Sequence, residues 1–304
     1  MVLSASRRTD IPCFYFDWFV SRLSEGFLYV KNPFNPRQVS YIGLSPETVD
    51  CIVFWTKNPA GAIGKLPRID RYPYYFQYTL NPYGQDLEPS LPRLEEKISL
   101  FRKLSESIGR ERVVWRYDPV LLSERYGLDF HKLSFKHISD SLRGYTDTAV
   151  VSFLDGYRKI NGGMKRAGNI CITEEHMRVL AESFAASAAG NGQTVRACAE
   201  AADFSKYGIS RGSCIDGNLI KKICGREIKP AKDPGQRKEC GCAKSVDVGA
   251  YDTCPNGCVY CYANRNANTV AKNLRAFDES SPILCGKIEN VNDINAKRLV
   301  NPIG

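Results

Sequence analysis

The sequence predicts an α/β protein: a complete or partial parallel β/α barrel with its helices outside. Three observations carry that expectation. Short β-branched or aromatic runs alternate with amphipathic helical stretches roughly six or seven times, the pattern of parallel strands joined by helical crossovers. Turn formers bound the runs, as in Thr9-Asp10-Ile11-Pro12, Lys57-Asn58-Pro59 and Tyr117-Asp118-Pro119. A chain of 304 residues, 43% of them hydrophobic, is long enough to bury one large core.

The expected strands cover residues 2–7, 51–56, 74–79, 112–117, 149–153, 195–199 and 245–251. Between them, Leu94, Ile98, Phe101, Leu104 and Ile108 recur at helical spacing, and Gly109 follows as a stop. A second helix is expected from an N-cap at Asp129, burying Leu133, Ile138 and Leu142 before Gly144. A third starts at Thr173 and carries Met177, Leu180 and Phe184 to Gly190. Residues 226–239 are polar, with two prolines and a glycine, and read as a surface linker. Residues 1–225 then supply barrel strands and helices, and the cysteine-rich residues 240–304 complete the same barrel, with no strong pattern after Cys285.

Charged residues make up 25% of the chain and the net charge is +9. That balance admits nucleic acid or another anionic substrate, but the lysines and arginines are dispersed and form no recognisable binding signature. No apolar run approaches the roughly 18–20 residues that span a bilayer, and the first residues lack a signal-peptide pattern. A cytoplasmic protein with no membrane partner is expected. His131, His137 and His176 fall in predicted helices without metal-binding spacing, and neither a Ser-His-Asp signature nor a phosphate loop is present.

In a reducing compartment, twelve cysteines point to metal or redox chemistry rather than disulfides. Cys13, Cys51 and Cys171 stand alone and read as small buried hydrophobes. Cys240, Cys242, Cys254, Cys258 and Cys261 fall within twenty-two residues. The strongest signal is Cys254-Pro-Asn-Gly-Cys258-Val-Tyr-Cys261, in which Pro255-Asn256-Gly257 supplies a tight turn. Three converging thiolates suit a four-iron cluster and leave its fourth iron open to a non-protein ligand. The alternative is zinc, with Cys258 and Cys261 pairing with Cys240 and Cys242. Against zinc, Val259 and Tyr260 are bulkier than the residues a zinc knuckle favours between its cysteines.

With Tyr260 just before the last cysteine, this motif resembles the signature of radical S-adenosylmethionine enzymes. The resemblance implies a 4Fe-4S cluster on Cys254, Cys258 and Cys261, with S-adenosylmethionine chelating the open iron. It implies an electron donor such as flavodoxin or ferredoxin, and a 5′-deoxyadenosyl radical that abstracts hydrogen from a substrate. In that superfamily the cluster loop follows the first barrel strand, near the N-terminus. Here the barrel is therefore expected to be circularly permuted, with residues 245–251 first in space, residues 2–7 second, and 226–239 as the joining segment.

Nearly the whole chain resembles the bacterial domain-of-unknown-function family numbered 1848. The resemblance rests on Ser6-Arg7-Arg8-Thr9-Asp10, Phe54-Trp55-Thr56-Lys57-Asn58-Pro59, Trp115-Arg116-Tyr117-Asp118-Pro119, Gly212-Ser213-Cys214-Ile215-Asp216 and Tyr251-Asp252-Thr253-Cys254-Pro255. The Thr-Asp and Thr-Lys elements are similar to those of the spore photoproduct lyase branch. Strand-end positions in a barrel form the rim where active sites lie. Lys57, Arg116 and Asp118 are accordingly expected as catalytic residues, with Thr56, Glu200 and Tyr260 at the cofactor and Tyr260 near the adenine. The bland reading pairs Lys57 or Arg116 with Asp10, Asp118 or Glu200. The superfamily's Gly-Gly-Glu element is not visible, since Gly162-Gly163-Met164 lacks the acid.

Cys198, Cys214, Cys240 and Cys242 form a second group, read as a closed auxiliary iron–sulfur cluster or a structural zinc site, with Cys198 and Cys214 as mere core residues the alternative. The functional expectation is a radical enzyme acting on a small molecule or nucleic acid. The alternative is a non-catalytic zinc- or iron–sulfur-stabilised binding protein, for nucleic acid.

Overall fold

A computed structural model of the chain describes residues 1–35, 37–154, 164, 165, 167–225, 231–287, 294 and 295. Its elements in chain order are β1 (Val2–Ala5), α1 (Ile11–Phe14), α2 (Phe16–Glu25), β2 (Phe27–Lys31), β3 (Val39–Gly43), β4 (Cys51–Thr56), α3 (Ala60–Ile63), β5 (Tyr74–Thr79), α4 (Leu94–Ile108), β6 (Val113–Val120), α5 (Leu128–Ser141), β7 (Thr148–Phe153), α6 (Glu174–Ala189), β8 (Thr194–Cys198), β9 (Ser210–Gly212), α7 (Gly217–Cys224), β10 (Val246–Asp247), α8 (Ala267–Arg275) and β11 (Ile294–Asn295). Eight of these strands share one sheet, in the order β10-β1-β4-β5-β6-β7-β8-β9. The pairs β10–β1, β1–β4, β5–β6, β6–β7, β7–β8 and β8–β9 are parallel. The expected α/β class with a parallel sheet is present. Of the expected linker, residues 226–230 lie outside the described residues, as do Gly162 and Gly163.

The chain divides into two compact units: residues 1–75, 245–257 and 263–304, and residues 76–244 with 258–262. In the first, Val2, Leu3, Ser4 and Ala5 of β1 pair in register with Cys51, Ile52, Val53 and Phe54. All of β1 is buried, as a strand covered on both faces must be. Phe16 and Phe19 of α2 pack on Phe54 with ring centroids 5.9 and 5.6 Å away. An antiparallel hairpin, β2 with β3, was not among the expected strands. The connection between its strands is seven residues, Asn32 to Gln38, rather than the two-residue turn that announces a hairpin.

The strand expected over 245–251 shrinks to Val246 and Asp247. The Asp247 carboxylate ends it by accepting the Gly249 amide at 3.1 Å, together with the hydroxyls of Ser4 at 2.9 Å and Ser6 at 2.6 Å and the Arg7 amide at 2.9 Å. The chain then passes so close to Ser6 that a Cβ at Gly249 would collide with its hydroxyl.

In the second unit, α4 follows its predicted span and ends on Gly109, whose φ of 93° few other residues adopt. Helix α5 starts one residue before the expected cap, behind Gly127, so Asp129 sits in its first turn. Its inward face carries His131, Phe135 and Ile138, while Leu133, expected inside, is 71% exposed. Two positions from His131 is about 200° around the helix, which puts Leu133 on the far side. Thr173 caps α6 as expected by accepting the His176 amide at 3.2 Å. Phe135 stacks on Phe184 at 4.2 Å and lies 4.6 Å from Trp115.

His131 is fully buried and sits between two defined partners: Nε2 donates to Leu121 O at 2.7 Å, which leaves Nδ1 to accept from Tyr117 Oη at 2.8 Å. Burial, partly offset by the Leu121 carbonyl, lowers its pKa to about 4.

Two predictions follow from this packing. Phe135→Ala should cost about 3–5 kcal/mol in a denaturant titration. Because the folded chain keeps His131 neutral while the unfolded chain protonates it, its stabilising share is complete above about pH 6.5 and is lost as pH falls towards about 4. The effect is up to about 3 kcal/mol, and His131→Asn should flatten the stability profile in that window.

Candidate functional site

The cysteine loop follows β10. In the first unit, Asp252 takes a left-handed φ of 59° and is held there by Arg265, whose backbone amide and Nε both bond the carboxylate, the latter at 2.8 Å. Asn273 Nδ2 donates to Asp252 O at 2.9 Å, Tyr15 Oη to Thr253 O at 2.5 Å, and Asn264 Nδ2 to Cys254 O at 2.7 Å. The backbone that presents Cys254 is thus fixed from three directions. The expected turn at residues 255–257 is present, with Gly257 at φ 68°, and a second turn follows it, in which the Cys261 amide donates to Cys258 O at 3.0 Å. All three thiols are half-buried.

Cys258 to Tyr262 belong to the second unit. The Val259 amide donates to Leu87 O at 3.0 Å. Tyr260 turns inward, packing with Tyr83, Leu87, Leu121, Tyr126 and Met164, and donates its hydroxyl to Glu88. Glu88 is in turn paired with Lys97 at 2.9 Å, and both side chains are only 1% exposed. Lys97 Nζ also donates to Asn81 O at 2.7 Å, and Asn81 Nδ2 reaches Tyr260 Oη at 3.2 Å. Burial, and then the Glu88 carboxylate, push the Tyr260 phenol well above its ordinary pKa. Sequence reasoning placed Tyr260 at the cofactor and missed Glu88, Lys97 and Asn81. The available signal was Lys97 itself, a lysine in the apolar phase of a helix between Leu94, Ile98 and Phe101.

The rim residues fall into two groups. In the first unit, buried Asp10 accepts the amides of Cys13 at 3.1 Å and Lys57 at 2.8 Å and the Asn256 side chain at 3.4 Å. Burial raises its pKa to about 6 against these hydrogen bonds. Thr56 bonds Asp10 and closes its own turn by accepting the Asn58 amide at 3.0 Å. Thus Asp10 meets Lys57 through the backbone.

In the second unit, Arg116 pairs with Asp118 and also donates to the Cys214 sulfur. Ser152 Oγ donates to Asp118 Oδ1 at 2.6 Å, and Glu200 accepts the Phe153 amide at 2.8 Å. Burial works against the Arg116 charge, but Cys214 and Asp118 outweigh it and raise its pKa. The Arg116–Asp118 ion pair of the bland reading is present.

The second cysteine group also meets. Cys198 Sγ lies 2.9 Å from Cys214 Sγ, Cys214 bonds Cys242, and Cys242 bonds Cys240. Cys240 and Cys242 are therefore engaged with Cys198 and Cys214. Among the described residues, no three His, Cys, Asp or Glu side chains already form a group that could hold a metal ion. Of the isolated cysteines, Cys51 is buried as expected, but Cys13 is half-buried and Cys171 exposed. A cleft of about 230 Å³ near the start of β6, β7 and β8 holds the Arg196–Asp216 pair at 2.6 Å and contains none of the expected site residues. No helix among the described residues is long and apolar enough to cross a membrane.

The Glu88 network yields a direct test. Glu88→Ala strands the Lys97 ammonium in the core and should cost about 3–5 kcal/mol. Replacing both partners, as Glu88→Gln with Lys97→Met, should recover most of that loss. Tyr260→Phe should cost only about 1–2 kcal/mol. Urea titrations of the four proteins check the order.

No curated protein and no solved structure matches the chain. Residues 2–263 match the family model described as Domain of unknown function (DUF1848), and the chain belongs to that family.

Proposed function

We propose that this protein is a radical S-adenosylmethionine enzyme whose Cys254, Cys258 and Cys261 hold a 4Fe-4S cluster. The observation that carries the reading is the position of the cysteine loop relative to the strand order. β10, the strand that precedes the loop, is at one edge of the sheet beside β1. Counted from β10, the order β1, β4, β5, β6, β7, β8 is also chain order. This supports a circularly permuted, complete or partial barrel in which β10 is the first strand and the cysteine loop is the first strand-end loop, where such a fold places its chemistry.

The donor set fits the group. Three half-buried thiols fall within eight residues of sequence, and thiolates are the ligands iron–sulfur clusters use. When bound, the cluster would supply the one electron needed to cleave the sulfonium C–S bond of S-adenosylmethionine into methionine and a 5′-deoxyadenosyl radical able to take hydrogen from the substrate.

The chain's own residues hold and orient. Glu88 and Lys97 fix Tyr260, and with it the backbone between Cys258 and Cys261. Asp10 gathers the amide of Lys57 and the side chain of Asn256, one residue before Gly257. Thr56, Lys57, Asp118 and Glu200 are assigned to nucleotide or substrate contact. Arg116 is assigned there through its pair with Asp118. The reductant is of the flavodoxin or ferredoxin class, the substrate a small molecule or nucleic acid, and the location cytoplasmic.

Low-temperature electron paramagnetic resonance on anaerobically reconstituted, dithionite-reduced protein tests this reading. A cluster signal that changes on adding S-adenosylmethionine, and is lost in Cys258→Ala, is the expected result. Protein that binds zinc and no iron, or a cluster indifferent to the nucleotide, overturns it. Salt-dependent binding to nucleic acid by such a zinc protein would establish the non-catalytic alternative.

A further inference from the structure

Four cysteines from three stretches of the second unit meet away from water. Cys198 ends β8, Cys214 follows β9, and Cys240 and Cys242 precede β10. None is more than 8% exposed. The segment carrying Cys242 is bound to the one carrying Cys214, with Ala243 N donating to Ile215 O at 3.0 Å and Ile215 N to Cys242 Sγ at 3.5 Å. A backbone amide of Cys242 likewise bonds the Cys240 sulfur. Such N–H···S contacts stabilise sulfur that carries negative charge. Beside them Arg116, which stays protonated at any working pH, donates to Cys214.

Buried cysteines usually serve as small hydrophobes. That reading explains their burial, but it explains neither the gathering of four sulfurs nor the cation and amides aimed at them. A disulfide is a poorer account, because it would use two sulfurs and leave the other two with no role.

We propose that Cys198, Cys214, Cys240 and Cys242 form a closed site for one thiophilic divalent cation of the zinc class. A single ion suits the spacing better than a second cluster. Four sulfurs at about 2.3 Å from one ion stand about 3.8 Å apart, so Cys198 and Cys214 need to open by only about 1 Å. An iron–sulfur cube binds each sulfur through a different iron and needs them much farther apart. On binding, each thiol gives its proton to solvent and four metal–sulfur bonds form, with no change of oxidation state. The resulting anionic centre lies against the Arg116 guanidinium, a charge-balancing role for that residue. The site is closed and structural, and it shares no ligand with the Cys254, Cys258 and Cys261 set.

The test is metal content by mass spectrometry on the full chain, purified from zinc-supplemented cells without chelator and then reconstituted anaerobically with iron and sulfide. About one equivalent of zinc is expected in the natural sequence and in a Cys254→Ala, Cys258→Ala, Cys261→Ala triple variant, falling at least tenfold in Cys240→Ser with Cys242→Ser. Cobalt in place of zinc should give the charge-transfer and visible bands of a tetrahedral tetrathiolate. If the double variant does not fold, alkylation of the natural protein decides the matter, since zinc should shield Cys198, Cys214, Cys240 and Cys242 and chelation should expose them together. Absence of zinc from every sample, zinc that leaves with the triple variant, or iron and sulfide tracking the four cysteines each overturns the proposal.

Discussion

Taking a lysine ammonium and a glutamate carboxylate out of water costs several kcal/mol apiece unless each finds the other with its remaining hydrogen-bonding capacity met. Lys97 and Glu88 satisfy that condition at 2.9 Å, with Asn81 O taking a second ammonium proton and the Tyr260 hydroxyl taking the other carboxylate oxygen. The second unit's share of the cysteine loop depends on this arrangement. Tyr260 lies between Cys258 and Cys261, so the charge pair that holds its hydroxyl also fixes where those two thiols leave the backbone. The apolar ring around Tyr260, from Tyr83 to Met164, excludes water from the pair and strengthens it.

The same economy recurs around the other charged residues. Asp118 accepts from Arg116 and from Ser152, and its backbone is bracketed by Asn81, which donates to Asp118 O and accepts from Asp118 N. Asn81 therefore belongs to two networks at once, Glu88–Lys97–Tyr260 and Arg116–Asp118. A change at either should be felt at the other, because the side chain cannot move without breaking bonds in both. In the first unit Asp247 and Asp10 play corresponding roles, each gathering backbone amides that strand or helix ends would leave bare. Of the expected functional residues, Thr56 and Lys57 stand at the end of β4 and Glu200 just beyond β8, whereas Arg116 and Asp118 lie within β6, which continues past the expected strand end to Val120.

Much of the architecture was legible in the sequence because periodicity and turn residues are local signals. β4 and β5 occupy their predicted spans, as does α4, each bounded by residues whose conformational preferences act within a few positions. Leu133 shows the limit of that reading: it was expected inside, yet it lies on the far side of α5 from His131, Phe135 and Ile138, the face that meets Phe184 of α6. The hairpin β2–β3 was missed for a related reason, its pairing being settled across seven residues of connection and not by a turn motif.

For the candidate sites the division is sharper. Covalent spacing by itself determined that Cys254, Cys258 and Cys261 fall within eight residues, with Pro255, Asn256 and Gly257 turning the chain between the first two. Sequence also supplied the family, since its motifs are contiguous runs. Only the tertiary structure decided that Tyr260 answers to Glu88 and Lys97, and that Arg116 faces Cys214 as well as Asp118. It alone brought Cys198, Cys214, Cys240 and Cys242 together. Apart from Arg116–Asp118 and Cys240–Cys242, these contacts join residues from 16 to 172 positions apart, and no local preference encodes them. They exist because strands distant in sequence lie side by side in a sheet, where burial turns each leftover charge or thiol towards the nearest group able to satisfy it.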